Sequence, residues 1–91
     1  MAGFNYKVTF APGFESILKK LKSKKPDLFR DLHKYIKKIT REPTLGKPLR
    51  NILRNYRRVQ VGSFVLIYEI LGSVVRLHDF DHHNRIYKKY S

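Results

Sequence analysis

Near the carboxyl end, Asp81-His82-His83-Asn84-Arg85-Ile86-Tyr87-Lys88-Lys89-Tyr90 gathers two adjacent histidines, two tyrosines and several cations within ten positions. Histidine as a residue type titrates at about pH 6.5, in the range where an acid or a base must work. Arginine and lysine hold phosphate charge, and tyrosine stacks on a base or passes a proton. This is equipment for moving protons beside a phosphate. The same stretch offers Asp81, His82 and His83 as metal ligands, but the chain has 4 histidines and no cysteine. Ligands adjacent in sequence seldom complete a tetrahedral site alone, so neither a metal nor another cofactor is expected.

The charge agrees with an anionic partner. Twenty Lys plus Arg against 7 Asp plus Glu leave a formal charge of +13 on 91 residues, well above the magnitude of roughly 2–8 that keeps a small domain soluble. Nucleic acid is the leading candidate partner for such a surface. Residues 1–91 suit a single domain, and 42% apolar with 13% aromatic residues supplies a packed core despite the charge. Without cysteine there is no disulfide framework. Met1–Phe10 lacks the basic and apolar regions of a secretion signal, and no apolar run approaches the ~20 residues of a membrane span, so a cytoplasmic, soluble protein is expected, with no membrane partner.

The elements that must position these residues are legible from periodicity. Asn5–Phe10 alternates as a half-buried strand with Tyr6, Val8 and Phe10 on one face. From Phe14 to Lys24 the apolar residues Phe14, Ile17, Leu18 and Leu21 recur at three and four, with lysines on the other side: an amphipathic helix. Pro26 opens a second helix, striped by Leu28, Leu32, Tyr35, Ile36 and Ile39, that stops before Pro43. Three strand-like runs follow, Leu53 to Val61, Phe64 to Leu71 and Val74 to Phe80, joined by Gly62-Ser63 and Gly72-Ser73 at tight-hairpin spacing. The middle run, Phe64-Val65-Leu66-Ile67-Tyr68-Glu69-Ile70, is apolar on both faces and belongs at the centre of the sheet. Placing Val59, Val61, Val75 and Leu77 against the helices leaves Tyr56, Arg58, Gln60, Arg76 and His78 on the other face. The order is β-α-α-β-β-β, an α+β domain with an N-terminal strand, a two-helix hairpin, a three-strand antiparallel meander and a short basic C-terminal segment.

In that order, Lys47-Pro48-Leu49-Arg50-Asn51, Tyr56-Arg57-Arg58-Val59-Gln60-Val61-Gly62, Phe64-Val65-Leu66-Ile67-Tyr68-Glu69-Ile70 and His82-His83-Asn84-Arg85-Ile86-Tyr87 together resemble the RelE branch of the RelE/ParE toxins of toxin–antitoxin systems. The resemblance spans most of the chain. It implies a ribosome-dependent endoribonuclease that cuts mRNA by attack of a 2′-hydroxyl on the adjacent phosphate, without metal, and that is silenced by a small RelB-like antitoxin. Carried over by position, Arg58 and Gln60 take the places of an Arg-x-Arg pair, Val65 and His83 each take the place of an arginine, and Tyr87 is the closing tyrosine. Because Gln60 and Val65 are not cations, His83 is the expected proton-transfer residue, with His82 second. Arg58 and Arg85 are expected to stabilise phosphate charge, and Tyr87 to position a base or join in proton transfer.

Further cations complete the expected RNA surface: Lys19, Lys20 and Lys22 on the first helix, with Lys47, Arg50, Arg57 and Arg76. Lysines like those of the first helix are more often a solvated face than a site, although their number here suggests contact with ribosomal RNA backbone, and His78 beside Arg76 reads as an ordinary polar face. Ile86 is expected to pack, His33 to face solvent, and Tyr68 to be core with its hydroxyl partnered. Two other readings remain: a ParE-like inhibitor of DNA gyrase, and a noncatalytic RNA- or ribosome-binding domain. A free +13 domain binds RNA indiscriminately, so an acidic antitoxin with an amphipathic helix beside the helical hairpin is expected as partner.

Overall fold

The structure, a computed structural model, describes residues 5–49 and 55–90. Strand β1 (Lys7–Phe10) is followed by helices α1 (Phe14–Lys24) and α2 (Pro26–Arg41), a 3-10 turn (Pro43–Leu45) and a short strand β2 (Lys47–Pro48). Strands β3 (Tyr56–Val61), β4 (Phe64–Leu71) and β5 (Val74–His82) precede a last helix, α3 (His83–Tyr90). One five-stranded sheet runs in the order β1-β5-β4-β3-β2. The expected α+β architecture is present.

Local chemistry accounts for most boundaries. Gly13 precedes α1 at φ 89°, a left-handed value that glycine adopts without penalty. Pro26 occupies the first turn of α2, where its missing N–H leaves no bond unmade. Gly62 and Gly72, both at positive φ, make the two hairpins, and β3, β4 and β5 pair antiparallel through them.

The helical hairpin covers one face of the sheet. Phe14, Leu21, Leu32 and Ile39 pack there against Val61, Leu66, Tyr68, Val75, Leu77 and Phe80. The opposite face carries a smaller cluster in which Ile86 of α3 sits on Val65 and Ile67, flanked by Leu49, Tyr56 and Tyr90.

Two features differ from the sequence-based expectation, the exposure of Phe10 and the course of the chain after Phe80, while the sequence leaves the pairing of β1 open. β1 lies parallel to β5, pairing Lys7 with Val74 through Phe10 with Leu77. Phe10, expected on the buried face, is 41% exposed at the end of β1 and meets Phe14 at 5.5 Å between ring centroids. β5 continues to His82 rather than Phe80, and the basic segment beyond it folds into α3. The expected start of the third run, at Leu53, and Arg50 lie outside the described residues.

Candidate functional site

β5 hands directly into α3, and that junction carries the histidines. The backbone N–H of His83 donates to the Ser63 carbonyl at 3.0 Å, tying the start of α3 to the β3–β4 hairpin. His82 and His83 stack at 4.4 Å between ring centroids, and Tyr87, one turn on, meets His83 edge-on at 6.0 Å. The Asn84 N–H donates to His82 Nδ1 at 3.3 Å. Neutral His82 therefore carries its proton on Nε2. Tyr87 is 50% exposed, so its ring is open to a ligand.

Below this junction α3 is strapped to β5 by charge. Arg85 donates to Asp81 Oδ1 at 3.0 Å, Lys89 Nζ to Asp79 Oδ2 at 3.0 Å and to Asp81 Oδ2 at 3.4 Å, and the Tyr90 hydroxyl to Asp79 Oδ2 at 3.4 Å. Beyond Leu77, β5 has no β1 residue beside it. The N–H groups of Phe80 and His82 are bonded instead by the side chains of Asp79 (2.9 Å) and Asp81 (2.7 Å). Each aspartate thus covers a strand N–H and holds α3. Burial pushes Tyr90 up to about 12, with the Asp79 charge and hydrogen bond adding to it, so this phenol stays neutral and acts as a donor. The Asp79 hydrogen bond, against the opposing pull of burial, raises Lys89.

Burial would raise Asp81, but hydrogen bonds from the His82 N–H, Arg85 and Lys89 outweigh it and hold the carboxyl below its ordinary 3.8. A depressed folded-state pKa means the strap is complete above that ordinary value and drains away as pH falls through the folded value. We expect the wild-type urea midpoint to fall between pH 5 and pH 3, and Asp81→Asn to show a lower midpoint at pH 7 with a shallower acid decline. Equal declines in the two proteins would remove Asp81 from the strap.

The expected sheet-face residues divide. Register sets Lys47 beside Arg58, Arg58 beside Ile67 and Ile67 beside Asp79 in one row; Tyr56, Glu69 and Arg76 form the next. Arg58 thus shares a face with Arg76, as expected, and Lys47 lies beside Arg58 on that face. Arg57 points the other way and donates to the Gly46 carbonyl at 2.6 Å and that of Thr44 at 3.4 Å, which commits it to the preceding loop. Tyr68, fully buried as expected, completes that lock: its hydroxyl donates to the Pro43 carbonyl at 2.6 Å and accepts from the Gly46 N–H at 2.9 Å.

The structure brings His82, His83 and Tyr87 together, with Arg85 on the same helix, but does not bring Arg58 to them. Ile86, resting on Val65 and Ile67, intervenes. That contact also gives Val65 a role: where the resemblance places an arginine, the valine forms the floor under α3. Gln60 is turned back on its own hairpin, donating to Gly62 O at 3.0 Å. Lys19, Lys20 and Lys22 are exposed on α1, and Lys20 joins Lys24, Lys25 and Arg85 around a cavity of about 580 Å³ floored by Phe64 and Phe80. His33 is exposed.

One cluster was not singled out from the sequence. A bulge opposite Ile67 and Tyr68 inserts an extra residue in β5, so that His78 and Asp79 both reach the open face. His78 Nε2 lies 2.7 Å from Glu69 Oε1, and its ring meets that of Tyr56 at a tilt of 34°, 4.7 Å between centroids. The signal available was the failure of strict alternation across Leu77-His78-Asp79-Phe80. Among the described residues no group of three or more His, Cys, Asp or Glu side chains is placed to hold a metal ion, and none of their helices is long and apolar enough to cross a membrane.

Comparison with known proteins follows the fold. The family described as ParE toxin of type II toxin–antitoxin systems, parDE, matches residues 8–87. A Methanocaldococcus jannaschii protein named as toxin RelE4 is 34% identical over 87 residues, 92% of this chain and 93% of its own. The toxin–antitoxin complex RelBE2 from Mycobacterium tuberculosis contains a chain 27% identical, at TM-score 0.73, covering 88% of this chain and 100% of that one. The YoeB/ParE toxin from Agrobacterium tumefaciens shares the fold at TM-score 0.76 and 14% identity, over 85% and 98% of the two chains. The hairpin-backed sheet with its basic open face and these similarities define the class: a toxin of a toxin–antitoxin system. The chain belongs to the ParE toxin family of the type II systems, within the RelE/ParE fold.

Proposed function

We propose that this toxin is a metal-independent endoribonuclease that cuts mRNA on the ribosome, in the cytoplasm, and is held silent by an acidic RelB-like antitoxin. The observation that carries this reading is the stacked His82–His83 pair beside Tyr87, with Arg85 on the same short helix. A 2′-oxygen attacks the adjacent phosphorus, the bond from phosphorus to the 5′-oxygen breaks, and a 2′,3′-cyclic phosphate and a 5′-hydroxyl result. One group takes the 2′ proton and another returns a proton to the 5′-oxygen. His83 serves as a proton-transfer residue with His82 second, Arg85 offsets the charge gathering on the phosphate, and Tyr87 positions the neighbouring base. Arg58, Lys47 and Arg76 meet the RNA backbone farther along the open face, and the lysines of α1 contact ribosomal RNA phosphates.

Toeprinting of an mRNA translated in vitro tests this, with wild type and His83→Ala side by side. We expect cuts at the decoding site that fall by about 100-fold or more in the variant. Bound ribosomes without cuts would favour the noncatalytic binding reading. A second reading, inhibition of DNA gyrase, is favoured by Gln60 and Val65, whose roles in the hairpin and under α3 leave two cation positions unfilled. A supercoiling assay unchanged by the toxin removes it.

A further inference from the structure

Helix α1 turns one stripe, Ile17, Lys20, Leu21 and Lys24, toward the end of β5 and the start of α3. Between them lies the cavity of about 580 Å³, within the roughly 300–1,000 Å³ of small-ligand sites. Its floor is apolar and aromatic. Phe64 and Phe80 meet at 5.3 Å between ring centroids, and His82 of the histidine junction lies edge-on to Phe64 at 5.9 Å. Phe80 is buried, but Phe64 is only half-buried, so part of its ring is open. Lys25 Nζ rests over that ring, 5.3 Å from its centroid.

The charges around this floor choose the ligand. Lys20, Lys24 and Lys25 are exposed and form no ion pair among the described residues. The two carboxylates in the wall are already paired, Asp79 with Lys89, and Asp81 with Lys89 and Arg85. The groove therefore suits an anion that also carries an apolar, planar part. An extended acidic peptide is the poorer fit. It would hold to the open edge of β5 by main-chain hydrogen bonds, and the Phe80 and His82 N–H groups are already bonded by the side chains of Asp79 and Asp81. RNA needs no strand edge. A base stacked on an aromatic ring is held more strongly than an exposed ammonium over the same ring, so Lys25 gives way to the base and meets a phosphate beside it. Arg85 stands both in the wall of the groove and on the helix of the histidine junction, so an RNA strand held at His83 reaches the groove with a neighbouring nucleotide.

We propose that the groove between α1 and the β5–α3 junction is a base-stacking subsite for the RNA strand whose scissile phosphate is held at the histidines. Phe64 stacks the base, Ile17, Leu21 and Phe80 enclose it, and Lys20, Lys24 and Lys25 bind the phosphates on either side. Lys19 and Lys22 lie off this stripe of α1 and remain for ribosomal RNA. The inference rests on the proposed function in taking RNA as the ligand of the histidine junction, and binding is measured without reference to cleavage.

The test is fluorescence anisotropy of the purified toxin with two labelled strands of equal charge, pentaadenylate RNA and an abasic pentamer of the same backbone. We expect the wild type to bind pentaadenylate at least about tenfold more tightly than the abasic strand. Phe64→Leu keeps an apolar side chain and removes the ring. It should weaken pentaadenylate about tenfold while its affinity for the abasic strand stays within about twofold, a separation that a general loss of structure would not produce. Replacing Lys24 and Lys25 together by glutamine should weaken both strands and flatten the salt dependence of log K by about 1.4, the release from two phosphates of a single strand. Equal affinities of the wild type for the two strands would show phosphate contact alone and overturn the subsite, as would a preference for pentaadenylate that survives in Phe64→Leu. A ten-residue peptide alternating glutamate and leucine that lost about tenfold in Phe64→Leu, where pentaadenylate did not, would make the groove a peptide site and overturn the RNA assignment. A Phe64-dependent preference for bases in a toxin that makes no cuts in the toeprint would leave the stacking subsite standing and refute the ribonuclease reading instead.

Discussion

Gly46→Ala will unfold this toxin at a temperature about 10–20 °C below that of the wild type, a loss of about 3 kcal/mol. The backbone at Gly46, with φ −77° and ψ 161°, is open to any residue, so conformational preference plays no part. The obstacle is space. An alanine Cβ would stand 2.6 Å from the Tyr68 hydroxyl and 2.7 Å from the Arg58 carbonyl oxygen. Tyr68 is fully buried in the core, and Arg58 is held in the sheet by β2 and β4, so neither can yield cheaply. Relief requires moving the loop, which breaks the Gly46 N–H bond to Tyr68 and pulls Arg57 from the Gly46 carbonyl. Each buried polar group left unpaired costs about 1–3 kcal/mol, in addition to the overpacking. Thermal unfolding followed by circular dichroism checks this. A melting temperature within about 3 °C of wild type would mean that the loop has slack the close contacts deny.

Ile86→Asp will detach α3 and abolish the proposed cleavage, lowering it by at least about 100-fold, while the sheet and helical hairpin remain folded. Ile86 is 1% exposed and rests on Val65 and Ile67. A carboxylate there has no cation in the apolar floor to pair with, and the cost of burying it is several kcal/mol. An isolated helix of α3's eight residues is unstable in water, so it melts once its anchor is gone. The main core lies on the other face of the sheet and does not use Ile86. Hydrogen exchange should accordingly show the amides of the last turn of α3 losing protection, with those of β4 unchanged. Full cleavage by a variant with α3 detached would show that the histidine junction is not part of the active site.

The elements legible in the sequence are those governed by neighbours in the chain. The three-and-four spacing in Phe14–Leu21 and Leu28–Ile39 shows two one-sided helices because side chains three and four apart share a helix face. Gly62-Ser63 and Gly72-Ser73 mark hairpins because a two-residue turn needs positive φ. An unbroken apolar run identifies β4 as central because both of its faces are covered.

The site was legible in composition and less so in arrangement. His82, His83, Arg85 and Tyr87 stood out as residue types, yet nothing local in Asp81–Tyr90 marks a helix start after His82. Its apolar stripe consists of Ile86 and Tyr90, and the floor receiving them is assembled from Val65 and Ile67 on β4, Tyr56 on β3 and Leu49 just past β2. The separation of Arg58 from the histidines follows from that docking and could not be read from spacing.

What the sequence by itself determined is the first strand, the helical hairpin and the three-strand meander, their order, the strongly basic charge and the chemistry on offer, since each depends on residue type and on contacts a few positions apart. The tertiary structure alone decided the parallel pairing of β1 with β5, the bulge that brings His78 to Glu69, and the seat of α3. Those depend on residues far apart in the chain meeting across the sheet, where register and packing, rather than local preference, choose which side chains touch.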